Sequence, residues 1–330
     1  MQENLVTAGI PVGVVGLGLM GTSIVVALLA AGHPVVAIAP LAGELPPVPG
    51  NIRKQLLLCE EAGLLQQEAD IYMGRLNLSA DYGALAGCLL VLECVVEDIR
   101  IKKQVYQQIT GVVAPTALIA TNTSAIPVSL LQQHVPGPGR FLGVHWAEPA
   151  FMTRFLEITC GDATDHANAE WVFGLSAAWG KEPTLLRKDI RGFVTNRLMY
   201  AVYREGLTLA EEGQATIEDM DKAFRYDAGS WMTLMGVFRR MDYMGLQDMA
   251  YIFREIFPRL SNTGAVPAPM QRLIDQKARG AQTGQGFYEY PGQEGEEWME
   301  AFTRFNEEID KLAAAYPSAR LQAYAEDLHL

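Results

Sequence analysis

No aspartate, glutamate, lysine or arginine occurs between Ile10 and Gly43, and glycines at positions 13, 16, 18 and 21 punctuate the first half of that stretch. Few folds accommodate such a segment. Val12 to Val15 reads as a short buried strand, Gly16-Leu17-Gly18-Leu19-Met20-Gly21 as a tight turn, and Thr22 to Ala31 as a helix of small and apolar residues. In a GxGxxG turn the first glycine permits the sharp change of direction and the second lets backbone approach a pyrophosphate. The third allows the helix to pack closely on the strand, with the phosphates held at the helix N-terminus. Gly32 stands where a helix C-cap belongs, and Val35 to Ile38 reads as a second strand. The competing fold for so long an uncharged run is a membrane span. The glycines, the helix-ending Gly32 with Pro34 behind it, and the lack of a basic flank all oppose that reading. Residues 1 to 9 carry no positive side chain, so no signal peptide is expected.

The rest of the chain reads as a soluble enzyme of two domains. Its 330 residues are 49% hydrophobic and 19% charged, enough to bury a sizeable core. The formal net charge of -12, with no basic stripe, argues against a nucleic-acid partner. Cys59, Cys88, Cys94 and Cys160 show no CxxC spacing, and the five histidines form no HExxH-like pair. Neither a disulfide framework nor a metal site is expected, and a reducing cytoplasm is the natural compartment.

After the second strand, Pro46 to Gly50 reads as a loop and Ile52 to Leu65 as a helix. Cys88 to Val96 is almost continuously apolar, as buried parallel strands are, and ends at Glu97-Asp98. Ile101 to Val113 has helical spacing, and Ala117 to Ala120 is a further buried strand ending in Thr121-Asn122-Thr123-Ser124. Ligands of open α/β sheets lie beyond the carboxyl ends of such strands, so Glu97, Ser124 and His145 are expected to share one rim. Phe141 to Trp146 and Phe155 to Thr159 are short strands joined through a proline-containing turn, an arrangement that folds His145 back towards Glu157. A carboxylate on one ring nitrogen leaves the other free to take a proton from substrate. On spacing alone, a satisfied core histidine beside an unrelated glutamate is the stronger alternative. The nucleotide-type N-terminus is what favours chemistry.

These residues carry a resemblance. The chain resembles the 3-hydroxyacyl-CoA dehydrogenase family, which includes relatives acting on hydroxy acids without CoA, from about Val12 to Tyr290. The shared motifs are GLGLMG, the Glu93/Glu97 pair in ECVVED with Lys102 after it, ATNTS, GVHWAEP, RFLEI, RGFVTNRL and TGQGFYEY. The resemblance implies a Rossmann-type, doubly wound, mostly parallel sheet (residues 1–188) followed by an all-helical domain (189–330) that carries the contact of a homodimer. It implies interconversion of a 3-hydroxyacyl-CoA and a 3-oxoacyl-CoA with NAD, NADP not being excluded, and a place in fatty-acid metabolism. A CoA-free 3-hydroxy acid is the alternative substrate, and an idle nucleotide-binding relative the alternative of another class. By resemblance His145 is the general base, Glu157 orients it, and Ser124 and Asn196 hydrogen-bond the reacting oxygen. Gly16, Gly18, Leu19, Met20, Gly21, Glu97, Lys102 and Asn122 fall at cofactor-binding positions. No membrane or nucleic-acid partner is implied.

Three departures from the family pattern bear on specificity. Where an acid ordinarily holds the adenosine ribose at the end of the second strand, this chain has Ala39-Pro40, and the first arginine is Arg53. Glu148 replaces the motif's usual asparagine, and Trp146-Ala147 replaces two phenylalanines. An ionised Glu148 is expected to raise the His145 pKa or to favour a cationic substrate; the alternative is a glutamate turned to solvent. Lysines that meet CoA phosphates in some members have no counterpart at Glu60, Glu61 and Ala62, with only Arg53 and Lys54 nearby. From Asp189 the pattern is helical: Arg197 to Glu212, Ile217 to Tyr226 and Leu246 to Arg259 are amphipathic, and Ser230 to Met244 is rich in Met, Trp and Phe. Glu296 to Ala315 reads as a further packing helix that Tyr316-Pro317 would stop.

Overall fold

The structure, a computed structural model, describes residues 9–232 and 234–314, and the chain divides into two compact units between Val194 and Thr195. The first unit runs β1 (Val12–Val15), α1 (Leu19–Ala30), β2 (Val35–Ile38), α2 (Val48–Glu61), α3 (Ala69–Met73) and β3 (Leu76–Ser79). It continues with β4 (Leu90–Glu93), α4 (Ile99–Thr110), β5 (Leu118–Thr121), α5 (Val128–Leu131), β6 (Phe141–Trp146), β7 (Phe155–Cys160), α6 (His166–Leu175) and β8 (Glu182–Leu186). One eight-stranded sheet results, in the order β3-β2-β1-β4-β5-β6-β7-β8. The six strands β1 to β6 are mutually parallel, whereas β7 pairs antiparallel with β6 and β8 runs parallel to β7. The order reverses between β1 and β4, which is where an open α/β sheet offers its ligand crevice.

Every residue of β1, β4 and β5 is buried, as their uninterrupted apolar runs require when helices cover both faces. Alternate side chains feed two separate cores. Val12, Val14, Leu90 and Leu92 pack with Ile24, Leu28 and Ile52 from α1 and α2, whereas Val15 and Val91 pack with Val105, Tyr106 and Ile109 from α4. The helix α1 has no charge because Gly21 to Leu29 is buried throughout. It ends in a Schellman-type turn, with Gly32 at φ +90 and the His33 amide donating to the Leu28 carbonyl at 3.1 Å.

Two sequence boundaries shift. The helix α2 begins at Val48 inside the expected loop, because proline in the first helical turn gives up only an amide that has no helical partner. The strand β4 keeps only Leu90–Glu93 of the apolar run from Cys88 to Val96; the Cys88 amide instead closes a turn onto Leu85. The edge strand β3, with its half-buried LNLS, and α3 and α6 carry no strong periodic signal and are found only in the structure. Residues 189–194 lie within the first compact unit. The Ser129 amide donates to Asp189 at 2.7 Å, and the Phe193 ring is buried in the core.

The second unit is helical: α7 (Thr195–Glu211), α8 (Ile217–Ala223), α9 (Gly229–Met232), α10 (Val237–Met244), α11 (Leu246–Ile256), α12 (Ala268–Asp275) and α13 (Glu294–Ala314). A π-helical turn, Phe224–Ala228, joins α8 to α9. The stop expected at Tyr316-Pro317 lies outside the described residues. No described helix is long and apolar enough to cross a membrane.

The glycine turn is set by backbone clearance. Gly16 sits at φ +95, and a Cβ on Gly21 would fall 1.8 Å from the Gly16 carbonyl oxygen, whereas a Cβ on Gly18 would meet no atom within 4 Å. Gly21→Ala is therefore expected to cost about 3 kcal/mol of folding stability. Gly18→Ala should stay within about 1 kcal/mol of the parent. Urea unfolding midpoints of the two variants check the contrast.

Candidate active site

The antiparallel register of β6 and β7 places His145 directly opposite Glu157. Residues paired this way share a face of the sheet. The His145 Nδ1 lies 3.0 Å from Glu157 Oε2, and the Glu157 side chain is completely buried while His145 is slightly exposed. Glu157 Oε1 accepts the Val194 amide at 3.1 Å. With Nδ1–H donating to the carboxylate, Nε2 is the nitrogen that carries the free lone pair. Two phenyl rings fix the imidazole plane: Phe155 edge-on at 5.5 Å and Phe193 at 5.7 Å. Phe193 adopts φ +49, directly after Gly192 at φ +79. An aromatic residue in the left-handed region stores strain. That conformation places the ring against His145 and the next amide on Glu157.

A second cluster forms at the carboxyl ends of β4 and β5. The buried Glu93 carboxylate accepts from Lys102 Nζ at 2.8 and 3.0 Å, and from the Tyr106 and Thr121 hydroxyls and the Val95 amide, each at 2.8 Å. The Lys102 ammonium, itself buried, also lies 3.4 Å from Glu97 Oε2. Glu97 Oε1 in turn accepts from the Thr123 hydroxyl and from the Ser124 and Ala125 amides at 3.1 and 3.2 Å. Burial pushes the Glu97 carboxyl up, but the Thr123 hydroxyl, the Lys102 charge and the Ala125 amide outweigh it and hold the group below its ordinary value. Lys102 thus meets the ligand edge through Glu97 rather than by its own exposed ammonium. The Asn122 side chain ties the ends of β5 and β6 together, its Oδ1 accepting the Trp146 amide at 2.9 Å.

Beyond β6 the chain enters a pinned loop. The Ala150 amide donates to Ser23 Oγ of α1 at 2.7 Å, and the Thr153 hydroxyl donates to the Ala147 and Pro149 carbonyls, both at 3.2 Å. Lys181, buried just before β8, donates to the Ala150 and Thr153 carbonyls and lies 5.1 Å over the Trp146 ring. Trp146 stacks on Trp179 at 5.2 Å, and Trp179 donates to His33 Nε2 at 3.0 Å. Neither Lys181 nor His33 stands out in the sequence; the one signal is a lysine and a histidine inside otherwise apolar stretches. Glu148 is half-buried rather than turned to solvent. Its Oε2 is sealed from solvent without a hydrogen-bond partner, and burial pushes the carboxyl up to about 7. The fully ionised form expected from the sequence is therefore opposed by desolvation.

The turn between β1 and α1 suits a dinucleotide. Gly18 is the N-cap of α1 and supplies no side-chain cap, leaving first-turn amides at the helix positive end beside the open space above Gly18. Gly16, Leu19, Met20 and Gly21 frame that turn. Ala39, at the end of β2, is buried and offers no ribose ligand. Asn196 opens α7 in the second unit, whereas Ser124, His145 and Glu157 belong to the first. No group of three or more potential metal ligands occurs among the described residues.

Residues 11–190 match the model of the 3-hydroxyacyl-CoA dehydrogenase NAD binding domain, and residues 192–290 that of the 3-hydroxyacyl-CoA dehydrogenase C-terminal domain. The chain is 30% identical over 286 residues to 5-formyl-3-hydroxy-2-methylpyridine 4-carboxylate 5-dehydrogenase of Mesorhizobium japonicum, covering 84% of this chain and 90% of that one. Among solved structures, a 5-formyl-3-hydroxy-2-methylpyridine 4-carboxylic acid 5-dehydrogenase, described as an NAD+-dependent dismutase, superposes with a TM-score of 0.86 at 26% identity, covering 92% of this chain and 98% of that one. The (S)-3-hydroxybutyryl-CoA dehydrogenase of Ralstonia eutropha superposes with a TM-score of 0.71 at 25% identity, covering 86% and 99%.

The Glu93 cluster carries its own test. Lys102→Met leaves a buried carboxylate without its countercharge and should cost about 3–5 kcal/mol in urea unfolding. The double variant Glu93→Leu/Lys102→Met, which removes both charges, should recover a large part of that loss.

Proposed function

The chain belongs to the 3-hydroxyacyl-CoA dehydrogenase family and is an NAD-dependent oxidoreductase, and from that premise we propose that its substrate is a small carboxylate bearing a carbinol or formyl carbon and no CoA. The observation that carries the chemistry is the His145 imidazole held by a buried Glu157 carboxylate, with Nε2 left to the substrate side. Nε2 takes the hydroxyl proton in oxidation and returns it in reduction, and Glu157 stabilises the imidazolium in between. Within the first unit, Ser124 is the hydrogen-bonding residue for the reacting oxygen. Bound NAD supplies the acceptor for the carbinol hydride. It would be held by the turn from Gly16 to Gly21, with Glu97 and Asn122 at the ends of the central strands, while Lys102 positions Glu97.

Two features favour a CoA-free substrate. The likeness to the pyridine carboxylate dehydrogenase, at a TM-score of 0.86, exceeds that to the hydroxybutyryl-CoA enzyme, at 0.71. Phosphate-binding side chains are also sparse on α2. Arg53 is engaged by Asp70 at 2.9 Å, and the Glu60 carboxylate accepts the Ala69 amide at 3.0 Å. A 3-hydroxyacyl-CoA remains the second reading, favoured by the family itself.

A homodimer through the second unit accompanies this reading. Ala228 is the one buried residue among those of 195–314 whose side chains are described, while Phe238, Tyr243, Tyr251 and Phe305 are widely exposed. Apolar faces of that kind mark an association surface. A sedimentation mass of twice the chain is the expected result.

NADH oxidation with 5-formyl-3-hydroxy-2-methylpyridine 4-carboxylate, free acetoacetate and acetoacetyl-CoA in parallel tests the substrate. Turnover confined to free acids is expected, and turnover of the thioester alone overturns the CoA-free assignment. His145→Ala should lower kcat by about 10²- to 10⁴-fold while NADH affinity stays within about twofold, the former being the usual worth of a positioned proton-transfer group.

A further inference from the structure

Glu148 is the ionisable group at the ligand edge that the reaction outlined above leaves unused. It follows His145 by three positions, which limits the distance between their Cα atoms to about 11 Å. It lies just past the carboxyl end of β6, the edge shared by the Gly16–Gly21 turn, Glu97 and Ser124. Its loop cannot drift: the Trp146 amide is held by Asn122, the Ala150 amide by Ser23 on α1, and the Ala150 and Thr153 carbonyls by Lys181. The loop that carries Glu148 is thus held between the histidine strand and the nucleotide-binding helix.

Its bonding is incomplete. Oε2 is sealed without a partner, whereas Oε1 is not among the sealed atoms. A buried polar atom left in this state costs about 1–3 kcal/mol and opposes ionisation of the carboxyl, so Oε1 is the atom that a ligand can meet. The carboxylate form would repel the pyrophosphate of the cofactor, whereas a small substrate beside His145 can offer a basic nitrogen.

We propose that Glu148 is a specificity-determining residue whose carboxyl shares a proton with a basic ring nitrogen of the substrate, selecting a pyridine-type carboxylate over acyl compounds that lack such a nitrogen. This deepens, and rests on, the CoA-free reading. A carboxyl and a pyridine-type nitrogen form one hydrogen bond in either protonation state, O–H to N or carboxylate to N–H. Burial pushes the Glu148 carboxyl up to about 7, so at neutral pH the proton passes to the substrate nitrogen at little cost. The family's usual asparagine at this position can hydrogen-bond but cannot exchange a proton. Glu148 reaches one methylene further and adds that capacity.

The test compares wild type, Glu148→Gln and Glu148→Asn on two substrates under NADH oxidation. One is 5-formyl-3-hydroxy-2-methylpyridine 4-carboxylate; the other is its carbocyclic analogue, with CH in place of the ring nitrogen. Wild type should prefer the pyridine by at least about tenfold in kcat/KM, the worth of one charge-assisted hydrogen bond, and both variants should lose that preference through KM for the pyridine. A merely structural role for Glu148 would lower both substrates alike. An unchanged ratio in the variants, or a loss confined to NADH affinity, overturns the proposal while leaving the CoA-free reading intact. Failure of wild type to turn over either ring compound, with acetoacetyl-CoA active, overturns both.

Discussion

The ligand edge of this fold is organised around one buried carboxylate. Glu93 ends β4 at the point where strand order reverses, and a full charge there is stable only because Lys102, Tyr106, Thr121 and the Val95 amide converge on it. Those donors come from α4, from the end of β5 and from the turn after β4. Satisfying one side chain therefore fixes three elements relative to one another. Because the same lysine also reaches Glu97, and Glu97 accepts the amides after β5, the arrangement passes outward from core to rim without a break.

The histidine pair rests on a different constraint, the reversal of chain direction between β6 and β7. In a wholly parallel sheet the neighbouring strand would be reached by a long crossover, and two residues twelve apart would not face each other. The antiparallel turn makes His145 and Glu157 register partners. What register leaves open is the plane of the ring and the second oxygen of the carboxylate. Both are settled by the Gly192-Phe193-Val194 turn, where a strained phenylalanine covers the imidazole and the following amide reaches Glu157.

Much of this could be read from residue order. The charge-free run with glycines at 13, 16, 18 and 21 specified strand, turn and helix, and the apolar runs ending in Glu97 and Ser124 located the carboxyl edge of the sheet. Boundaries slipped where proline entered a helix, as at Pro49, and where an apolar run outlasted its strand, as at Cys94 to Val96. The edge strand β3 was unreadable because a half-buried LNLS has neither strict alternation nor full burial. Lys181 and His33 were unreadable for another reason. Their partners are backbone carbonyls and a tryptophan far away in the chain, and no spacing rule encodes contacts of that kind.

Charge at the ligand edge shows how an acidic chain can face an anionic cofactor. Three carboxyl groups, Glu97, Glu148 and Glu157, occupy the edge, and left ionised and bare they would repel a pyrophosphate. Each is offset differently. Glu157 is paired with the His145 imidazole. Glu97 is held ionised by Lys102 and by amides, so its charge is spent inside the protein. Glu148 has no countercharge at all, and desolvation alone raises it to about 7. An asparagine would have removed that penalty outright. Retaining a carboxyl where burial opposes its charge makes physical sense when the proton it holds is part of what the site recognises.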